Sequence, residues 1–236
     1  MRRPLLVLQH APWEGPGLVA VAVSHHAVGV PVHTRTVLDD ADAALPRASS
    51  LAGLVVMGGP MSADDDLSHP GLPAERRLLA EAVQAHVPVL GVCLGMQLLA
   101  VALGADLHHR HGTEIGFAPV DVRAPDPVLG PLGPDPTVLH WHGDAVGLPP
   151  SSTLLASTST TPVQAFRAGS AVGLQFHVEV DEELLGTWLG EPAMTDGVDP
   201  AVVAQVRADA RRTLPGLVPH ALTGLAAFVE AVAARA

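Results

Sequence analysis

Apolar residues along the chain fall into short unbroken runs separated by stretches of helical spacing. Pro4 to His10 is an apolar run of strand length, Gly17 to Val28 can form a helix, and Val30 to Val37 alternates as a strand does. Leu54 to Met57 is a short buried strand that runs into Gly58-Gly59-Pro60. Ala74 to His86 carries Leu78, Leu79, Ala82 and Val83 at helical spacing, and Val87 to Val92 is again apolar. Met96 to Leu103 reads as a helix, with Gly104 placed as its C-cap. Apolar strands alternating with helices predict an α/β fold, an open and mostly parallel sheet with helices on both faces.

The pattern changes after Leu107. Val120 to Val122, Thr137 to His140, Leu154 to Ala156, Val163 to Phe166 and Val172 to Phe176 are short strands separated by Pro, Gly and Ser, which predicts an antiparallel edge to the sheet. From Asp181 onward the chain turns helical, over Glu182 to Leu189, Pro200 to Leu214 and His220 to Arg235. Gly190 to Asp199 is the expected hinge before a C-terminal helical extension, which divides the chain into residues 1–190 and 191–236. The Leu, Val and Ala stripe from Leu217 to Val232 predicts a helix packed on the core.

Composition narrows the possibilities. With 48% hydrophobic and 16% charged residues the chain can bury a sizeable core, which excludes a disordered protein. A net charge of −11 argues against nucleic acid and against anionic membranes as partners, because both need Lys and Arg to displace counterions. There is no lysine, so neither a lysine Schiff base nor a phosphate-loop lysine is available. One cysteine excludes an internal disulfide. The apolar run in MRRPLLVLQHAP is too short for a signal peptide, and the one from Leu217 is interrupted by Pro219 and Gly224 and falls short of a membrane span. The expectation is a cytoplasmic chain.

The chemistry is concentrated around that cysteine. Val87 to Val92 leads into Gly91-Val92-Cys93-Leu94-Gly95-Met96-Gln97: a buried strand, a Gly-x-Cys-x-Gly turn, then a helix. A nucleophile on such an elbow sits in strained backbone, and the flanking glycines allow close approach of neighbouring chain. The helix dipole favours an anion there, and the N–H of Leu94 would face the oxygen of a bound carbonyl. A lone buried cysteine is more often a small hydrophobe than a nucleophile, so a base has to be found. Gln175-Phe176-His177-Val178-Glu179 supplies one at the end of an apolar run, and residues two apart in extended chain share a side, so Glu179 can orient His177.

On these motifs the chain resembles the class I glutamine amidotransferase family, in the branch similar to the amidotransferase domain of GMP synthetase. Gly91 to Gln97 resembles the family's nucleophile motif, and Phe176-His177-Val178-Glu179 its Phe-His-Pro-Glu motif, with Val178 in place of proline. Trp141-His142-Gly143-Asp144 with Leu148-Pro149 is typical of the branch. The resemblance runs from about Leu5 to Leu189. It implies a flavodoxin-like fold and Cys93, His177 and Glu179 as a triad cleaving the γ-amide of glutamine through a glutamyl thioester. It also implies Gly59 and Leu94 as oxyanion donors and Gly58, Gln97, Gly116 and Phe117 as substrate contacts, with no cofactor and no metal. Glutamine or another γ-glutamyl small molecule is then the ligand, and a synthetase that accepts ammonia is a possible partner. Two further readings stay open: a stand-alone γ-glutamyl peptidase, and a catalytically degenerate binding or regulatory protein.

The thirteen histidines include a cluster at His108, His109 and His111, and His140 and His142 share one face of a strand. Without a cysteine pair or a His-Glu-x-x-His they read as surface or supporting groups, not metal ligands. Asp126 and Asp144 are unremarkable as metal ligands, and Asp64-Asp65-Asp66 reads as a solvated acidic loop.

Overall fold

The structure, a computed structural model, describes residues 2–236. Its main sheet has eight strands. In chain order β1 is Leu5–Leu8, α1 Leu18–His26, β2 Val32–Arg35, β3 Gly53–Val56, α2 Leu72–Gln84, β4 Val89–Val92 and α3 Leu94–Ala102. Then follow β5 (Leu107–His108), β6 (Glu114–Pro119), β7 (Asp121–Val122), β8 (Thr137–His142), β9 (Ala145–Val146), β10 (Thr153–Ser157), β11 (Ala165–Ala168) and β12 (Ala171–Leu174). The chain ends with α4 (Glu182–Trp188), α5 (Pro192–Thr195) and α6 (Pro200–Arg235). The sheet order is β2-β1-β3-β4-β12-β11-β10-β7; the first five strands are parallel and the last three antiparallel.

The parallel strands are apolar throughout because both faces are covered. Leu5 and Val7 point into the core beneath α1 and α6, and Leu6 and Leu8 into the core beneath α2 and α3. The exception is β2, whose four residues are all exposed; its His, Thr and Arg blunt an edge strand. Gly104 has φ of 87° just past α3, the left-handed conformation a C-cap glycine supplies.

Three expectations need correction. The strand expected at Val172 to Phe176 is not in the antiparallel edge: β12 runs parallel to β4. Thr137 to His140 does not extend the main sheet: β8 pairs along its whole length with β6, a strand hidden in the sequence by Gly116 and Pro119. The C-terminus is one 36-residue helix, not two, with Pro215 and Pro219 inside it. Each interior proline costs about 3 kcal/mol relative to alanine. The buried positions Val206, Ala210, Leu214, Leu217, Ala221, Leu225, Phe228 and Val232 nevertheless keep one phase through both prolines. Burying a Val, Leu or Phe contributes roughly 1.5–3 kcal/mol each, enough to offset both breaks. By length and composition α6 would pass for a membrane span, but this face packs on α1 and β6. At Gly224 the contact is so close that a Cβ would strike the Val128 carbonyl.

Candidate active site

The loops after β1, β3, β4 and β12 meet at the carboxyl ends of the parallel strands, where open α/β sheets hold ligands. At the end of β4, Cys93 has φ of 51° and ψ of −111°, a sparsely populated conformation costing about 1–3 kcal/mol for a residue with a side chain. Its N–H donates to the Leu174 carbonyl at 2.8 Å and its carbonyl accepts from Gln97 N–H at 3.0 Å, so the strained residue is tied on both sides. The glycines serve this turn: a Cβ on Gly91 would meet the Gly95 carbonyl at 2.6 Å, and one on Gly95 would land on the Val56 carbonyl. The thiol side chain is buried but opens to the cleft, with Sγ 3.8 Å from the Trp141 carbonyl.

His177 follows β12. Its N–H donates to the Leu139 carbonyl at 2.9 Å, and Nδ1 stands 2.7 Å from Glu179 Oε1. The ring packs edge-on against Trp188 at 4.8 Å, and Trp188 is itself held by its indole N–H donating to the Trp13 carbonyl. Burial, the largest influence, pushes the His177 pKa down; the charge of Glu179 and the hydrogen bonds and charge of Glu179 and Cys93 outweigh it and raise it well above 6.5. The Glu179 carbonyl accepts from the Leu18 N–H at 2.8 Å, which explains Gly17, where a Cβ would collide with that carbonyl. The bridge to Leu139 and the tie to α1 restrain the chain on either side of Val178.

The remaining residues singled out in the sequence divide. Gly59, Cys93, Gln97 and His177 line a cleft of about 680 Å³. Gly58 sits beneath the His177 ring without lining the cleft, and Leu94 is buried at the first position of α3. Gln97 spends its amide N–H groups on the Asp144 carbonyl and on Gln175 Oε1. Gly116 and Phe117 are not brought to the cleft: Thr113 and Ile115 line it instead, and Phe117, further along β6, packs on the core.

Glu14, Ala193 and Met194 of the cleft gave no sequence signal. Glu14, 4% exposed, projects into it from the loop after β1; burial, outweighing the pull of the His177 charge, pushes its carboxyl up to about 7. Ala193 and Met194 of α5 form part of the wall, so the segment expected to be a hinge is a piece of the site. Asp144 accepts from Ser62 Oγ at 2.5 Å and from the Arg110 N–H at 2.9 Å. His109 lies between Asp144 and Asp64, so the acidic loop is partly paired rather than wholly solvated.

Ligand atoms of Glu114, His140 and His142 lie within 4.8 Å of one another. The carboxylate is already spent on protein donors: Thr158 at 2.9 Å, Thr161 at 2.6 Å and Gln164 at 2.7 Å. Burial, opposed by that carboxylate, lowers the His140 pKa to about 4, so its ring is neutral. This group reads as a buried polar network that fixes the β6–β8 hairpin.

Residues 20–189 match the family model of the class I glutamine amidotransferases. The chain belongs to that family. It is 36% identical over 145 residues to the glutamine amidotransferase-like protein YfeJ of Salmonella typhimurium, covering 58% of this chain and 61% of the relative. It is 34% identical over 157 residues to a glutamine-hydrolyzing GMP synthase of Thermomicrobium roseum, covering 66% of this chain and 28% of the synthase. The match therefore spans less than two thirds of either relative's length. A crystal structure of a glutamine amidotransferase from Thermotoga maritima superposes with a TM-score of 0.84 at 26% identity, covering 98% of this chain and 99% of that one. One from Methylobacillus flagellatus gives 0.86 at 26% identity over 98% and 96%. These likenesses extend over nearly the whole chain, well beyond the stretch the sequence motifs mark.

Proposed function

We propose that this chain hydrolyses the γ-amide of glutamine, with Cys93 as nucleophile, His177 as acid and base, and Glu179 as the group that orients His177. The observation that carries the reading is His177 itself, bonded through Nδ1 to Glu179 and lining the same cleft as Cys93, which sits at a strained strand-to-helix elbow. With Nδ1 committed, Nε2 is the atom available to the reaction. The Cys93 thiolate attacks the γ-carbonyl carbon, and the N–H groups of Gly59 and Leu94 receive the oxyanion. His177 passes its Nε2 proton to the departing nitrogen, leaving a glutamyl thioester. It then takes a proton from water, whose oxygen attacks the thioester and frees glutamate and the thiol.

One observation favours a second reading. The cleft is larger than glutamine needs and lies within the roughly 300–1,000 Å³ that small-molecule pockets span, so a γ-glutamyl peptide or conjugate is an alternative substrate. In the first reading ammonia passes to a synthetase partner; in the second the chain acts alone.

The test is to incubate the purified protein with L-glutamine and, separately, with γ-glutamyl peptides, and to assay glutamate and ammonia, with Cys93→Ala as control. Cys93-dependent glutamate from glutamine, rising with a candidate synthetase, supports the amidotransferase. Faster turnover of peptides supports the hydrolase. Glutamate release that survives in Cys93→Ala would refute the mechanism, and none from any substrate would favour the degenerate, ligand-binding reading.

A further inference from the structure

His10 lies in the loop just after β1 and is buried, and its ring makes two contacts of unusual consequence. Nδ1 stands 3.0 Å from the Gly58 carbonyl and Nε2 2.9 Å from Glu75 Oε2. A carbonyl oxygen can only accept, so Nδ1 carries a hydrogen. Nε2 faces a carboxylate, the side chains of both residues being 0% and 1% exposed. A buried carboxylate without a cation is costly, and a proton on Nε2 completes an ion pair. His10 is then an imidazolium with both N–H groups committed. Burial, the largest influence, opposes that charge, while Glu75, the Gly58 carbonyl and the nearby Glu14 favour it, and the net effect raises the His10 pKa.

The same peptide bond carries Gly58 C=O and Gly59 N–H, which point in opposite directions because the unit is planar and trans. With the carbonyl held toward His10, the Gly59 N–H is turned away from it. Among the described residues this N–H has no protein acceptor, and Gly59 lines the cleft. The fit is tight from behind: a Cβ on Gly59 would come within 2.8 Å of both His10 Cβ and Leu94 Cδ2.

We propose that the buried His10–Glu75 ion pair sets the plane of the Gly58–Gly59 peptide and thereby aims the Gly59 N–H at the carbonyl oxygen of the substrate. His10 is a positioning residue, acting on the oxyanion donor through the Gly58 carbonyl. The inference rests on the thioester mechanism for the function of that donor, but not for the charge on His10. A cation bonded to the carbonyl also draws electron density through the amide, making the N–H a better donor.

Two measurements on the full chain test it. In the first, NMR of ring-labelled histidine follows His10 from pH 6 to 9. The imidazolium form should persist above the pH at which an ordinary histidine loses its proton, and Glu75→Gln should shift its titration downward. A His10 that is neutral at pH 7 would overturn the proposal whatever the enzyme's substrate.

The second compares His10→Asn, whose amide takes the place of Nδ1 and can still donate to Gly58, with His10→Gln, whose amide takes the place of Nε2 and reaches only Glu75. First-turnover release of p-nitroaniline from γ-glutamyl p-nitroanilide passes through an oxyanion; alkylation of Cys93 by iodoacetamide does not. His10→Gln should slow p-nitroaniline release by up to the order of 10²–10³ that loss of one oxyanion donor costs, leave alkylation nearly unchanged, and be partly rescued in His10→Asn. Equal losses in both variants and both reactions would mean that His10 only supports the fold. If the wild type releases no p-nitroaniline while His10 titrates as expected, the ion pair stands and the thioester mechanism is what fails.

Discussion

Replacing Glu14 by glutamine removes one charge and keeps the outline of the side chain, so its effect on stability should follow pH. In the unfolded chain this carboxyl titrates near its ordinary 4.5; in the folded protein burial is the largest cause of its rise to about 7, the charges of His177 and His10 pulling it down and that of Glu179 pushing it up. Because the folded value is the higher one, between pH 4.5 and 7 the native state keeps a proton that the unfolded state has released. Stability therefore falls as pH rises through that window. Below it Glu14 is protonated in both states and costs nothing. Above it the cost is complete, about 3 kcal/mol for a displacement of that size. Glu14→Gln should match the wild type near pH 4.5 and exceed it by about 3 kcal/mol at pH 8. At about 2–4 °C per kcal/mol for a chain of this length, Tm should rise by roughly 6–12 °C. Thermal unfolding of both proteins at pH 4.5, 6 and 8, at fixed ionic strength, reads this directly. A difference of the same size at all three pH values would place the effect in packing, and no difference at pH 8 would mean that Glu14 is solvated.

Other expected outcomes follow from the same geometry. Glu179→Gln should lower kcat on a γ-glutamyl substrate by on the order of 10³–10⁴ with an unchanged circular dichroism spectrum, since the orienting acid of a triad commands an effect of that size; a loss under tenfold would exclude it as the orienting group. Gly95→Ala places a methyl on the Val56 carbonyl and should destabilise by about 1–3 kcal/mol or more, seen as a lower urea midpoint. Pro215→Ala restores an N–H for the Arg211 carbonyl inside α6 and should stabilise by about 1–2 kcal/mol, the helix gain of about 3 kcal/mol being offset in part by a freer unfolded chain. A destabilised Pro215→Ala would mean that the proline is favoured by its packing.

What could be read from the sequence was what is local. The elbow at Cys93 is a strand, a turn and a helix in eleven consecutive residues, and His177 and Glu179 meet because they are two apart in extended chain. Three of the five parallel strands, β1, β3 and β4, announced themselves because burial on both faces leaves no polar positions to confuse the reading, whereas β2 is an exposed edge and β12 was expected among the antiparallel strands. The misses have tertiary causes. Thr137 to His140 found Glu114 to Pro119 as its partner through a register no periodicity encodes, and α6 runs through Pro215 and Pro219 because its buried face outweighs the local penalty. Glu14 and Glu75 stand 61 residues apart and converge near Gly58 only because the loops after β1 and β3 meet and α2 passes beside them. A buried carboxyl in a loop has no spacing to recognise; it becomes visible when the neighbours that desolvate it are in place.

Those neighbours give the two histidines of the site different work. Both are buried, both touch a carboxylate, and both have raised pKa values. His10 has an acceptor on each nitrogen, so its proton has nowhere to go, and its charge serves as a fixed post behind Gly58. His177 has Glu179 on Nδ1 and lines the cleft, where in the proposed mechanism a substrate takes the proton of Nε2. The distinction can be read as pH dependence. For each ring the folded pKa lies above the unfolded 6.5, so the stability it contributes is whole below 6.5 and is lost as pH rises through the folded value. In the proposed mechanism only His177 exchanges its proton during turnover. Its titration should therefore shape the pH profile of kcat, whereas that of His10 should appear in the unfolding curve, with kcat lost there only as the Gly58–Gly59 peptide comes free. Glu75→Gln separates them: it should move the alkaline limb of the stability profile to lower pH and leave the limb due to His177 where it was.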